Sequence, residues 1–173
     1  METTQISKQE TFMGKEDLLN HWLGHRNLTR RVIEKFPEKE LFEFSVEGMR
    51  PFSDMVKELL SIASPGLHGI VNRSEEAYNH DLNLNTKAEL LAKWDEETPV
   101  IIDLYNKIPE KDFPKNHNLF GQYNFPIKDN ILYFIDNEIH HRAQGYVYLR
   151  ALGIEPPFSG KDKYTNIKLN SGY

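Results

Sequence analysis

Residues 126–152 constrain this chain more than any other stretch. They count 27 positions, about 40 Å of α-helix at 1.5 Å per residue. Pro126 suits the first turn, Gly153 suits the left-handed position that closes a helix, and Pro156-Pro157 stands just beyond. On a 100° wheel Ile127, Ile131, Phe134, Ile135, Gly145, Leu149 and Leu152 share one face. A helix of this length with one apolar side calls for other long helices to cover it.

Three more such stretches exist. Residues 15–36 carry Leu18, Trp22, Thr29, Val32, Ile33 and Phe36 at three- and four-residue steps, and Pro37 stops the pattern. Pro51 opens a second helix with the stripe Phe52, Met55, Val56, Leu59, Leu60 and Ala63. Pro65-Gly66 interrupts it while Leu67, Ile70 and Val71 keep its phase, which predicts a kinked or broken helix. Thr86-Lys87-Ala88-Glu89 has the form of a capping box. The helix it starts bears Leu90, Leu91, Trp94, Ile101, Ile102, Tyr105 and Ile108, with a kink expected at Pro99 and an end at Pro109.

Between these helices the reading is looser. Residues 38–50 hold the apolar patch Leu41, Phe42 and Phe44, which suits a short strand or a turn of helix. Residues 72–85 are polar and Asn-rich, hence a loop, and a long loop with Asn116, His117, Asn118 and Gly121 leads to Phe125. No strand pattern competes with the helices. The expected fold is all-α, a four-helix bundle with long loops. It forms one domain over residues 1–173, with a core at about 15–153 and polar tails.

Charge and composition remove several function classes. Lys+Arg 21 against Asp+Glu 26 leaves a net charge of −5, without the basic face of a nucleic-acid or anionic-membrane binder. The chain has no Cys, so disulfide, thiolate and Fe–S chemistry are excluded. No apolar run nears the ~18 residues of a membrane span. The polar residues 1–10 lack the layout of a signal peptide, so a cytoplasmic protein is expected. G-x-G-x-x-G, Walker, G-x-S-x-G and H-E-x-x-H sequences are absent.

Ionisable residues on apolar faces then stand out, because such groups are costly unless paired or bound. Glu138 falls near the middle of the last helix's apolar face, with His141 and Arg142 on its flanks. Glu138-x-x-His141 has the i, i+3 spacing with which helical metalloproteins aim a carboxylate and an imidazole at one ion. On the first helix His25 lies inside the apolar arc and His21 at its edge. The pair reads as one satisfied core histidine and one boundary histidine, although i, i+4 spacing also suits two metal ligands. Glu58 sits at the margin of the second helix's stripe.

The segment from Tyr133 to Arg150, YFIDNEIHHRAQGYVYLR, followed by ALGIEPP, resembles the last helix of the DinB-like family of four-helix-bundle proteins. The family pattern there is H-x-x-x-H-R-G-Q, then Leu-Arg, Gly and Pro-Pro. Gly48-Met-Arg-Pro-Phe52 and the helix after it look like the family's second helix, and residues 22–36 fit its first loosely. The resemblance implies one divalent transition ion, zinc or nickel, held by three histidines. Here His141 matches the second histidine of H-x-x-x-H, Asn137 stands in place of the first, and Ala143 replaces the glycine. Anchoring on Arg50-Pro51-Phe52 places the remaining ligand at Glu58, whereas a one-turn shift places it at Ser61. Glu58 is preferred, because the wheel turns Ser61 away from the apolar face.

The expected metal set is therefore Glu58, Asn137 and His141, with Glu138 behind it to orient a ligand or accept a proton and His25 and Tyr146 lining a pocket. The resemblance implies a metal-dependent thiol transferase or hydrolase, with a homodimer as its assembly. Asn is a poor ligand for zinc or nickel. The replacements therefore imply equally a bundle without metal that binds a small molecule or a protein partner. In that case Glu58, Glu138, His141 and Arg142 form a closed polar network. Neither a nucleic acid nor a membrane is expected as partner.

Overall fold

The computed structural model describes residues 12–75 and 81–158. The expected polar tails, 1–11 and 159–173, and residues 76–80 of the second loop lie outside the described residues.

Four long helices dominate: α1 (Lys15–Lys35), α3 (Phe52–Asn72), α4 (Lys87–Lys107) and α5 (Ile127–Ala151). A six-residue helix α2 (Glu38–Glu43) settles the linker in favour of helix, with Leu41 as its buried anchor. The capping box forms as expected, Thr86 Oγ1 accepting from the Glu89 N–H and Glu89 returning to the Thr86 N–H. α3 packs on α4 and α5, and α1 packs on α4 and α5, so the four helices close a ring. No helix among the described residues is long and apolar enough to cross a membrane.

Two expectations need correction. Of the kinked or broken helix expected at Pro65-Gly66, the break does not occur: α3 runs continuously through Pro65. One proline removes a single backbone hydrogen bond, and the flanking Ile62, Ala63, Leu67 and Ile70 are all locked in the core. Gly66 serves packing rather than interruption: a Cβ there would lie 2.5 Å from Phe134 Cζ of α5. Gly145 does the same from the other side, where a Cβ would meet the Phe52 ring at 2.6 Å. The second correction concerns the long loop, which contains an antiparallel hairpin, β1 (Asn116–Leu119) with β2 (Tyr123–Pro126). Asn116 pairs with Pro126 and Leu119 with Tyr123, and Phe120 and Gly121 turn the chain with positive φ. Each strand is four residues long and β2 is mostly exposed, so no alternating apolar pattern marks it.

The core falls into two hydrophobic clusters. One gathers Leu18 and Trp22 of α1, Ile62 to Ile70 of α3, Ile101 to Tyr105 of α4 and Ile127 to Ile135 of α5. The other gathers Val32 and Ile33, Phe52 to Leu60, Leu90 and Trp94, and Tyr148 and Leu149. Reading each helix in chain order, α1 and α5 pass from the first cluster to the second, while α3 and α4 pass from the second to the first. Between the clusters lies a polar belt: His25, Arg26 and Thr29 on α1, Glu58 and Ser61 on α3, Thr98 on α4, and Asn137, Glu138, His141 and Arg142 on α5. The belt is where function has to be sought.

Candidate functional site

The belt divides into two groups on adjacent faces of α5. Residues 137 and 141 are one helical turn apart and share a side, as do 138 and 142, about 100° further round.

The outer group lies at the α3–α5 seam. His141 Nε2 stands 3.1 Å from Glu58 Oε1, and Asn137 Nδ2 donates to the same oxygen at 3.4 Å. Arg50, just before α3, donates from Nη2 to the other oxygen, Glu58 Oε2. On its far side the His141 ring meets Gln144, Nδ1 to Oε1 at 3.0 Å. The side chains of His141 and Glu58 are 8% and 15% exposed, whereas that of Arg50 is 49% exposed. Burial works against charge on Glu58, but the hydrogen bonds and charges of Arg50 and His141 outweigh it and hold its carboxyl below the usual range. Ionised Glu58 has no hydrogen to give, so the hydrogen between it and the imidazole sits on His141 Nε2.

Arg50 also lines an open cleft of about 370 Å³ with Asp54, Lys57, Asp81 and Leu82. The guanidinium therefore joins the outer group to a solvent-accessible space edged by charges of both signs.

The inner group is sealed between α1, α4 and α5. Glu138 is 2% exposed. Its Oε1 accepts from Thr29 Oγ1 at 2.6 Å and its Oε2 from Trp22 Nε1 at 3.3 Å. Arg26, 1% exposed, approaches Oε2 to 4.0 Å. Arg26 also stacks over the Trp94 ring at 4.0 Å and donates to Thr98 Oγ1 and the Trp94 carbonyl. Arg142 donates to Thr29 Oγ1, to the His25 carbonyl and to His25 Nδ1. Burial pushes the Glu138 carboxyl up, while Arg26, Thr29, Arg142 and Trp22 pull it back. Burial likewise lowers both guanidiniums against the pull of Glu138. His25 Nδ1, facing a guanidinium that only donates, is an acceptor, and its Nε2 lies 3.1 Å from Nε2 of the exposed His21.

The structure thus brings Glu58, Asn137 and His141 together, as the sequence suggested. Glu138 and His25 belong to the inner group, bonded towards α1. Tyr146 donates its hydroxyl to the Pro157 carbonyl. Ser61 is corrected: it is 3% exposed, not turned outward, because α2, α4, α5 and β1 all pack on α3. Its hydroxyl returns to the Lys57 carbonyl and takes no part in the outer group. Sequence reasoning missed the parts played by Arg50, Gln144 and Arg26. Gln144 was findable as an i, i+3 neighbour of His141. Arg50 and Arg26 carried no such signal, since their partners are known only once the helices pack.

A transition ion does not fit this donor set. Glu58 and His141 are the only strong donors in it, and the third residue is a carboxamide turned nitrogen-first towards the carboxylate. Among the described residues no three His, Cys, Asp or Glu side chains are grouped to hold a metal. A guanidinium already neutralises the carboxylate.

A family model described as the DinB family matches residues 7–166. YjoA of Bacillus subtilis (strain 168), an uncharacterised protein, is 23% identical over 151 residues, covering 82% of this chain and 93% of its own. The crystal structure of YjoA superposes with a TM-score of 0.63 at 20% identity, covering 82% of this chain and 96% of that one. A DinB-like protein from Bacillus cereus ATCC 10987 superposes with a TM-score of 0.68 at 15% identity, covering 83% and 95%.

Proposed function

The chain belongs to the DinB family, and on that premise we propose that it is a four-helix bundle that binds a small charged molecule and works without a resident transition metal. The closed ring of helices α1, α4, α3 and α5 supports the bundle. One observation carries the functional reading: both oxygens of Glu58 are already engaged, Oε2 by Arg50 and Oε1 by His141 and Asn137. A carboxylate so satisfied has little left to offer an ion. The same arrangement leaves Arg50 in the lining of the cleft, together with Lys57, Asp54 and Asp81. These charges suit a molecule bearing an anionic group, since a guanidinium keeps several donors in a fixed fork. Size-exclusion chromatography with light scattering tests the homodimer that the resemblance implies.

A metal-dependent thiol transferase or hydrolase is the competing reading. The 3.1 Å between Glu58 Oε1 and His141 Nε2 favours it, because two ligands of one ion can stand that close.

Screening small carboxylates, phosphates and amino acids by thermal shift tests the proposal. The account expects hits whose effect disappears in Arg50→Ala and Lys57→Ala. Hits that survive both changes, or that need an added divalent ion, would contradict it.

A further inference from the structure

The placement of Arg50 explains why the outer group needs no ion. We propose that the Arg50 guanidinium is the built-in cation of this site, standing where a divalent ion would otherwise balance Glu58, and that it is the residue that excludes one. The inference rests on the metal-free reading above and deepens it by assigning the exclusion to one side chain.

Three observations support it. First, Arg50 Nη2 is bonded directly to Glu58 Oε2, so any ion taken up by that carboxylate would sit against a fixed positive charge. Like charges a few ångströms apart in a partly buried setting repel strongly. Second, the other oxygen faces two donors, His141 Nε2–H and Asn137 Nδ2–H, which complete the network that Arg50 begins. With Gln144 on its Nδ1, the His141 ring is held in the orientation that serves Glu58. Third, Arg50 is half exposed and its backbone, not its side chain, anchors the neighbouring fold: Tyr148 donates its hydroxyl to the Arg50 carbonyl. The side chain can therefore be exchanged without removing a core contact.

Zinc and nickel titrations of the untagged full chain by calorimetry test this, with Arg50→Gln, Arg50→Lys and Arg50→Gln/His141→Ala alongside. Circular dichroism confirms that each is folded. The expected result is weak or no saturable binding by the parent and by Arg50→Lys. Arg50→Gln should bind about one ion per chain at least about tenfold more tightly, and the gain should vanish with His141→Ala. If a metal-free parent gives an Arg50→Gln variant that binds no better, the exclusion by Arg50 is overturned and the metal-free reading stands. If Arg50→Lys gains metal as Arg50→Gln does, positive charge is not what excludes the ion, and the proposal fails. If the parent itself binds one ion tightly, both the proposal and the reading beneath it fall.

Discussion

Asn137 and His141 turn towards Glu58 of α3, which Arg50 links to a cleft, whereas Glu138 and Arg142, one residue further along the same helix, turn towards α1 in a sealed interior. Both groups contain a carboxylate, a histidine and arginine. They differ in what surrounds them. The inner carboxylate is 2% exposed and accepts from Trp22 and Thr29 of α1, while Arg26 stacks on Trp94 of α4 and Arg142 bonds to His25 and Thr29 of α1. The outer carboxylate shares its charge with an arginine that is half in water at the edge of a cleft. A buried ion cluster of the first kind holds helices in one arrangement, and losing one member leaves the others without partners. A cluster of the second kind is screened by solvent, contributes little to stability and can respond to a ligand.

The comparison breaks most sharply at Glu138. Glu138→Ala leaves Arg26 and Arg142 buried without their counter-ion, and the expected loss is about 3–5 kcal/mol, measured as the shift in urea unfolding midpoint. A loss below about 1 kcal/mol would mean that the inner group is as solvated as the outer one.

Thr29→Val is the next largest. It removes the hydroxyl that donates to Glu138 and accepts from Arg142. Leaving those buried groups short of a partner should cost about 1–3 kcal/mol. Tm and urea denaturation check it.

Glu58→Ala should cost no more than about 1 kcal/mol, and the difference from the parent should shrink as salt is added. A larger, salt-independent loss would place Glu58 with the structural group.

The smallest effect is one of pH. The Glu58 carboxyl is held below its usual range when folded, so its contribution is present above the unfolded value of ~4.3. That contribution disappears as the pH falls through the folded value. The stability gap between parent and Glu58→Gln should be flat from about pH 7 to 5 and narrow below ~4.3. A gap that widens on acidification would reverse the sign of the account.

Much of this was legible beforehand. The four long helices follow from apolar spacing and from Pro37, Pro51, Thr86 and Gly153 as starts and stops. The wheel also placed Glu138, His141 and Arg142 on the core side of α5, where they are buried. His25 and His21 fell out as a buried and an exposed histidine for the same reason. The wheel failed where a helix is covered on most sides, as Ser61 of α3 shows. It also counted Thr29 with the apolar stripe, because periodicity registers burial and not the hydrogen bond its hydroxyl makes. The hairpin escaped because a four-residue strand with Asn, His and Pro has no period to read. The separation of Glu138 from Glu58 and His141 depends on which neighbour packs against which side of α5, and that is a property of the assembled helices.

Elemental analysis tests the central claim most directly. Untagged protein would be incubated with excess zinc or nickel, freed of unbound ion and measured beside Glu58→Ala and His141→Ala. The account predicts well under one ion per chain in the parent and no difference among the three. About one ion per parent chain, absent from both variants, would contradict it and restore a metal centre at Glu58 and His141.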